Sequence, residues 1–188
     1  MKPTEQELED LIGQITELTW SYAIWWELAN KENREAYRKA MGAYPNYFLA
    51  VFRSMQQGIC VIVARLFDKD SRTLSLRNLV KRLEQSSPVL AKQLDLEISS
   101  HDPAIEKCKT VRDKVYAHRD KSPQPEDLFK QVQVKPKDFK VLVRVAQEIV
   151  ATFVELRGQN SKSAVLDRFQ RCERDVAEET KIIIRHLL

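Results

Sequence analysis

Glycine is scarce in this chain: four in 188 residues, about a third of ordinary usage. Many-stranded sandwiches, barrels and doubly wound sheets need glycine at their turns, so the scarcity points to a mostly helical protein. Cysteine is equally sparse. Cys60, Cys108 and Cys172 stand far apart with no paired spacing, which suits neither a disulfide framework nor a zinc site and fits a reducing compartment. His101, His118 and His186 share no metal-ligand spacing, and HExxH, CxxC, a glycine-rich phosphate loop and G-x-S-x-G are all missing. These absences set aside first-row metal sites, the common nucleotide hydrolases and serine hydrolases, and no metal or cofactor is expected. The first five residues open into an acidic stretch with no apolar signal-peptide core, so a cytoplasmic location is expected. The most apolar run, Tyr47 to Phe67, contains Arg53, Gln56, Gln57 and Arg65. It reads as a buried helix, not a membrane span.

What is present is a globular composition, with 43% hydrophobic and 8% aromatic residues, which excludes a disordered chain. The length fits one domain, or one domain with an extra helical arm. A formal net charge of +4 hides an asymmetry. Residues 1–36 carry three basic and eight acidic side chains, whereas residues 107–140 carry ten basic and five acidic. A local excess of base attracts polyanions by neutralising phosphates, although a charged surface is also an ordinary solvated one.

Leu8, Leu11, Ile15, Leu18, Tyr22 and Trp25 recur at three- and four-residue steps, which predicts one long amphipathic helix opened by a Thr4–Glu7 capping box. A second helical stretch is expected from Arg34 to Met41, stopping at Gly42. Asn46 is the expected cap of the next helix, about Tyr47 to Phe67. Asp68-Lys69-Asp70-Ser71 ends that helix, and Thr73 or Ser75 caps a short one through Leu76, Leu79, Val80 and Leu83. Ser86-Ser87-Pro88 breaks the chain. Pro103 then sits in the first turn of a helix carrying Ile105, Cys108, Val111, Val115 and His118. Residues 126–136 read as an irregular connector or one short strand. Two helices follow, Lys137 to Leu156 and Ser163 to about Leu187, the last dense in charge and read as an arm or a partner-facing element. Trp20, Trp25 and Trp26 lie on or beside the stripe of the first helix, where core or dimer packing outweighs base stacking.

Chemistry concentrates in Arg112-Asp113-Lys114-Val115-Tyr116-Ala117-His118-Arg119-Asp120. Residues six apart on a straight helix differ by about 240° around the axis. Arg112 and His118 therefore meet one surface only if the final turn relaxes or a second chain completes the site. A guanidinium holds a phosphate through two parallel hydrogen bonds and stabilises charge developing on it. An imidazole accepts a proton from a ribose 2′-hydroxyl or donates one to the leaving 5′-oxygen. Doubled across a dimer, the pair suits metal-independent RNA cleavage. The alternative is structural: His118 ends a helix, and Arg112 is an ion-pair partner of Asp113 or Glu106. Lys109, Lys114, Arg119 and Lys121 offer phosphate contacts.

At these residues the chain resembles the HEPN (higher eukaryotes and prokaryotes nucleotide-binding) domains, whose motif is R-x(4–6)-H. Two blocks in order, Arg65-Leu66-Phe67-Asp68-Lys69-Asp70-Ser71-Arg72-Thr73-Leu74-Ser75-Leu76 and Arg112 to Asp120, look like the abortive-infection U-type branch. The resemblance covers residues 5–155. It implies an all-α helical bundle, read here as residues 1–160; the additional C-terminal helix over 161–188 lies outside the resemblance. The resemblance also implies a homodimer with its motif helices facing, and a composite ribonuclease site used in toxin–antitoxin or anti-phage defence. Carried over, Arg112 binds the scissile phosphate and His118 is the acid or base. Asp113, Lys114, Tyr116, Arg119 and Asp120 are supporting or substrate-binding candidates. So are Arg65, Asp68 and Arg72, which either line the RNA groove or form an ion-pair network positioning the Thr73–Ser75 cap. Some HEPN proteins are non-catalytic binding modules. The charge-dense last helix then suggests a partner such as a cognate antitoxin or a nucleotidyltransferase-like protein.

Overall fold

Thr4 Oγ1 accepts from the Glu7 N–H at 3.2 Å while the Glu7 carboxylate accepts from the Thr4 N–H at 2.7 Å, and this reciprocal box opens the first helix. The computed structural model describes residues 3–117 and 131–187. Within them α1 (Glu5–Ala29) is followed by α2 (Lys31–Ala36), α3 (Arg38–Ala43), α4 (Pro45–Leu66), α5 (Leu76–Leu83) and α6 (Pro88–Ser100). Then come α7 (Asp102–Ala117), α8 (Pro136–Leu156) and α9 (Lys162–His186). No strand occurs among the described residues. The protein is all-α.

Several boundaries differ from the sequence reading. The stretch expected from Arg34 to Met41 is two short helices, because the Asn30 side chain caps Glu32 N–H at 3.3 Å and starts a helix earlier. Tyr37 then interrupts it. Asn46 is not a cap: Tyr44 holds that position and Pro45 stands at the first helical residue, where its fixed φ and missing donor cost least. Ser75, not Thr73, caps α5, its Oγ accepting from Asn78 N–H at 3.3 Å. The break at Ser86-Ser87-Pro88 is itself the start of a helix, α6, again with proline in its first turn. Of the expected connector, residues 131–132 are helical. Val132 and Val134 pack against the core instead of alternating across a strand.

The long helices alternate in direction. Trp25 of α1 lies 5.9 Å from Phe52 and Ser21 faces Gly58, so α4 returns antiparallel to α1. Trp25 also meets Phe139 edge-on at 5.1 Å, and Gln147 Nε2 donates to Thr19 Oγ1 at 2.9 Å. The Arg157 guanidinium bonds the Pro3 carbonyl. Helix α8 is thus antiparallel to α1 as well. Helix α9 runs parallel to α1, sharing a cleft with Leu8 through Phe169 at one end and packing Ile184 with Leu28 at the other. One main core gathers Leu11, Ile15, Leu18, Val63, Ile149 and Phe153, all 1% exposed or less. Sequestering such side chains contributes roughly 1.5–3 kcal/mol each. A smaller cluster of Leu28, Tyr37, Ala40, Phe48 and Ile184 closes the far end. There the buried Glu27 carboxylate accepts from the Tyr37 hydroxyl at 2.6 Å.

Helix α4 corrects one expectation. It is long and apolar enough to cross a membrane by length and composition alone, yet it packs as a bundle helix against α1 and α7. It is buried mainly over Ile59 to Leu66. Its N-terminal half leaves Tyr47 and Leu49 exposed.

Candidate functional site

Helix α7 positions the candidate residues. Asp102 and Pro103 begin it, and Ile105, Cys108 and Val111 form a fully buried stripe at helical spacing. The fully buried Cys108 thiol neighbours the equally buried Cys60 of α4. Where α4 ends and α7 begins, Arg77 bonds both the Phe67 carbonyl and Asp102. These two ties make α4 and α7 an antiparallel pair, with Arg112 rising one turn beyond the cysteines.

Arg112 sits beside the buried stripe with its side chain 32% exposed, and its guanidinium lies 2.7 Å from the Asp113 carboxylate. Of the two ion-pair partners open to it, it takes Asp113. Glu106 instead pairs with Lys109 at 3.1 Å. Lys107 reaches across to Asp138 at the start of α8, at 3.0 Å. Lys114 is exposed and makes its own interaction. The Tyr116 side chain, together with His118, Arg119 and Asp120, lies outside the described residues, so the separation of Arg112 and His118 lies outside them too.

The earlier block folds into a loop between α4 and α5, held by local turns. Asp68 Oδ1 accepts from the Asp70 N–H at 3.1 Å, and the Asp68 carbonyl accepts from Ser75 Oγ at 2.9 Å. Asp70, not Asp68, engages Arg72: both carboxylate oxygens take guanidinium donors, at 2.6 to 3.2 Å. This bidentate pair holds the Asp70 carboxyl below its usual range because the adjacent cation favours the ionised form. Asn78 Nδ2 adds bonds to the Asp70 and Thr73 carbonyls at 2.7 and 2.8 Å. Arg65 stands exposed in the last turn of α4. Asp68 therefore shapes the cap of α5, while Arg72 is a solvent-facing base at the loop tip. The loop is tied to the start of α7 by Arg77 and by Lys69, 3.8 Å from Asp102.

Sequence reasoning missed Arg77 and Asp102. Arg77 looks like any charged residue of an amphipathic helix, and one of its acceptors is a backbone carbonyl. The available signal was a base two residues after the cap Ser75, between Leu76 and the Leu79–Val80 pair.

An all-α bundle whose motif arginine, Arg112, rides on a helix packed antiparallel to its neighbour is HEPN-like. The AbiU2 family model (HEPN_AbiU2) matches residues 5–159, and the chain belongs to that family. It is an abortive-infection-related HEPN domain. No curated protein and no solved structure matches it. The matched span ends just before α9.

Proposed function

We propose that the chain is a metal-independent endoribonuclease of an abortive-infection or toxin–antitoxin system, acting as a homodimer in the cytoplasm. The observation that carries this reading is Arg112: on the motif helix of a HEPN family member, a partly exposed guanidinium is oriented by the Asp113 carboxylate. A guanidinium so placed binds a scissile phosphate by parallel hydrogen bonds, with Asp113 exchanged for the phosphate oxygens. His118 then takes the proton of the ribose 2′-hydroxyl or gives one to the departing 5′-oxygen. The products are a 2′,3′-cyclic phosphate and a free 5′-hydroxyl. A second copy brings a second Arg112–His118 pair to the same cleft. Lys114, Arg119 and the exposed Arg72 contact flanking phosphates.

The test incubates the full chain with mixed RNAs in excess EDTA beside His118→Ala and Arg112→Ala. Wild type should cleave, leaving cyclic phosphate ends, and each variant should fall by roughly a hundredfold or more, the usual contribution of a positioned acid or base. Equal cleavage by wild type and His118→Ala, or none by wild type across many RNAs, overturns the reading.

A further inference from the structure

The cleft between α6 and α8 does not include Arg112 among its lining residues. Helix α6 has thirteen residues but buries only Ala91 and Ile98. On the side facing α8 it leaves Leu90 and Leu94 half-buried, and these meet Ile149, Thr152 and Leu156 across an open groove of about 590 Å³. The floor is apolar in practice, because the Thr152 hydroxyl donates to the Glu148 carbonyl of its own helix at 2.8 Å.

The rim is acidic. Glu97, Glu148 and Glu155 border the groove. The one cation among its lining residues, Lys162, is already 2.7 Å from Glu148, and its N–H donates to Glu155 at 3.1 Å. His101 lies 3.6 Å from Glu97 on the outer side. Two further apolar side chains of α6, Val89 and Leu96, are 73% and 60% exposed. The lining runs from residue 90 to 97 on α6 and from 148 to 156 on α8, about 11 Å along each helix at 1.5 Å per residue. That is two helical turns.

We infer that this groove docks a cationic amphipathic helix of a partner protein. Two turns of apolar floor accept side chains spaced i, i+4 and i+7 from one helix face. With Glu148 paired to Lys162, Glu97 and Glu155 leave the rim net negative, which selects lysine or arginine on the flanks and repels an acidic segment. Nucleic acid is excluded on the same ground, so this surface is distinct from the proposed RNA site and stands whether or not that proposal holds.

The probe is a synthetic four-turn helix with leucines at i, i+4, i+7 and i+11 and lysines on both flanks, titrated into isotope-labelled full chain by NMR. Amide shifts should saturate and concentrate at Leu90 to Leu94 and Ile149 to Leu156. A scrambled peptide of the same composition, and one with glutamate for lysine, should bind at least tenfold more weakly. The surface variant Glu97→Lys/Glu148→Lys should reduce affinity for the lysine peptide at least tenfold. The wild-type shift map stands independently of how that variant folds. No saturable binding, shifts centred elsewhere, equal binding of the glutamate or scrambled peptide, or an unaltered affinity in a folded variant overturns the inference.

Discussion

Arg77 joins Asp102 to the Phe67 carbonyl, so one guanidinium, its side chain 11% exposed, fastens the end of α4 to the beginning of α7. The consequence is geometric. The axial position of the helix carrying Arg112 is set by a contact ten residues before it, in addition to the apolar stripe.

Removing that guanidinium leaves the Phe67 carbonyl without its donor and the partly buried Asp102 carboxylate with only the more distant Lys69, at 3.8 Å. Arg77→Met is expected to lower stability by about 1–3 kcal/mol, since a hydrogen bond to a charged group is lost and a buried carbonyl is left unpaired. Urea denaturation measures it. A loss below about 0.5 kcal/mol would show that water replaces the bond without penalty.

Thr19 and Gln147 form a buried polar link inside the main core. The threonine hydroxyl donates to the Ile15 carbonyl at 2.7 Å and accepts from Gln147 at 2.9 Å. Thr19→Val should destabilise by about 1–3 kcal/mol, because the Gln147 amide loses its acceptor. The double variant Thr19→Val/Gln147→Leu should recover part of that loss, giving a coupling in a thermodynamic cycle. Strictly additive single and double variants would contradict the link.

The three cysteines should separate by reactivity. Cys60 and Cys108 are fully buried against each other, and the hydrogen bond to Cys108, then burial, hold the Cys60 thiol well above the usual range. Cys172 is partly exposed. Thiolate and access govern attack on a disulfide reagent, so native protein at mildly alkaline pH should react at Cys172 alone. All three should react after denaturation. Rapid native labelling of Cys108 would mean that α4 and α7 part readily.

Two tyrosines make the fold sensitive to alkali. Burial, then the charge of Glu173, pushes the Tyr22 hydroxyl up to about 12, against an opposing effect of Arg144. Burial and the hydrogen bond to Glu27 raise Tyr37 further. In the unfolded chain both titrate near 10. A raised native value means the unfolded state sheds its protons first, so this contribution is complete below about pH 10 and declines as pH rises toward 12 and beyond. Chemical denaturation across that range should show stability falling, with a smaller decline in Tyr22→Phe. An equal slope in the variant would remove Tyr22 from the explanation.

The long helices were legible because each carries an apolar stripe several turns long, and the Thr4–Glu7 box marked its helix to the residue. Helix α6 was not, since burying only Ala91 and Ile98 leaves almost no periodic signal, and its opening Ser-Ser-Pro resembles a plain break. At the candidate site, adjacency made the Arg112–Asp113 pair readable. The choice of Asp70 over Asp68 by Arg72 was not, because Asp68 turns its carboxylate onto the backbone of its own loop. The Arg77 tie has a main-chain acceptor, which leaves no trace in residue types.

The pairing of α1 with the last two helices bears on how the molecule is assembled during synthesis. Gln147 and Ile184 complete contacts with α1, and Arg157 with Pro3 just before it, residues made more than a hundred positions earlier. Helix α4 covers one face of α1 early, but the face that meets α8 and α9 stays open to other chains until those helices are made. Contacts this distant in sequence slow folding and lengthen exposure to aggregation. A chain halted before α8 leaves that one face of α1 uncovered.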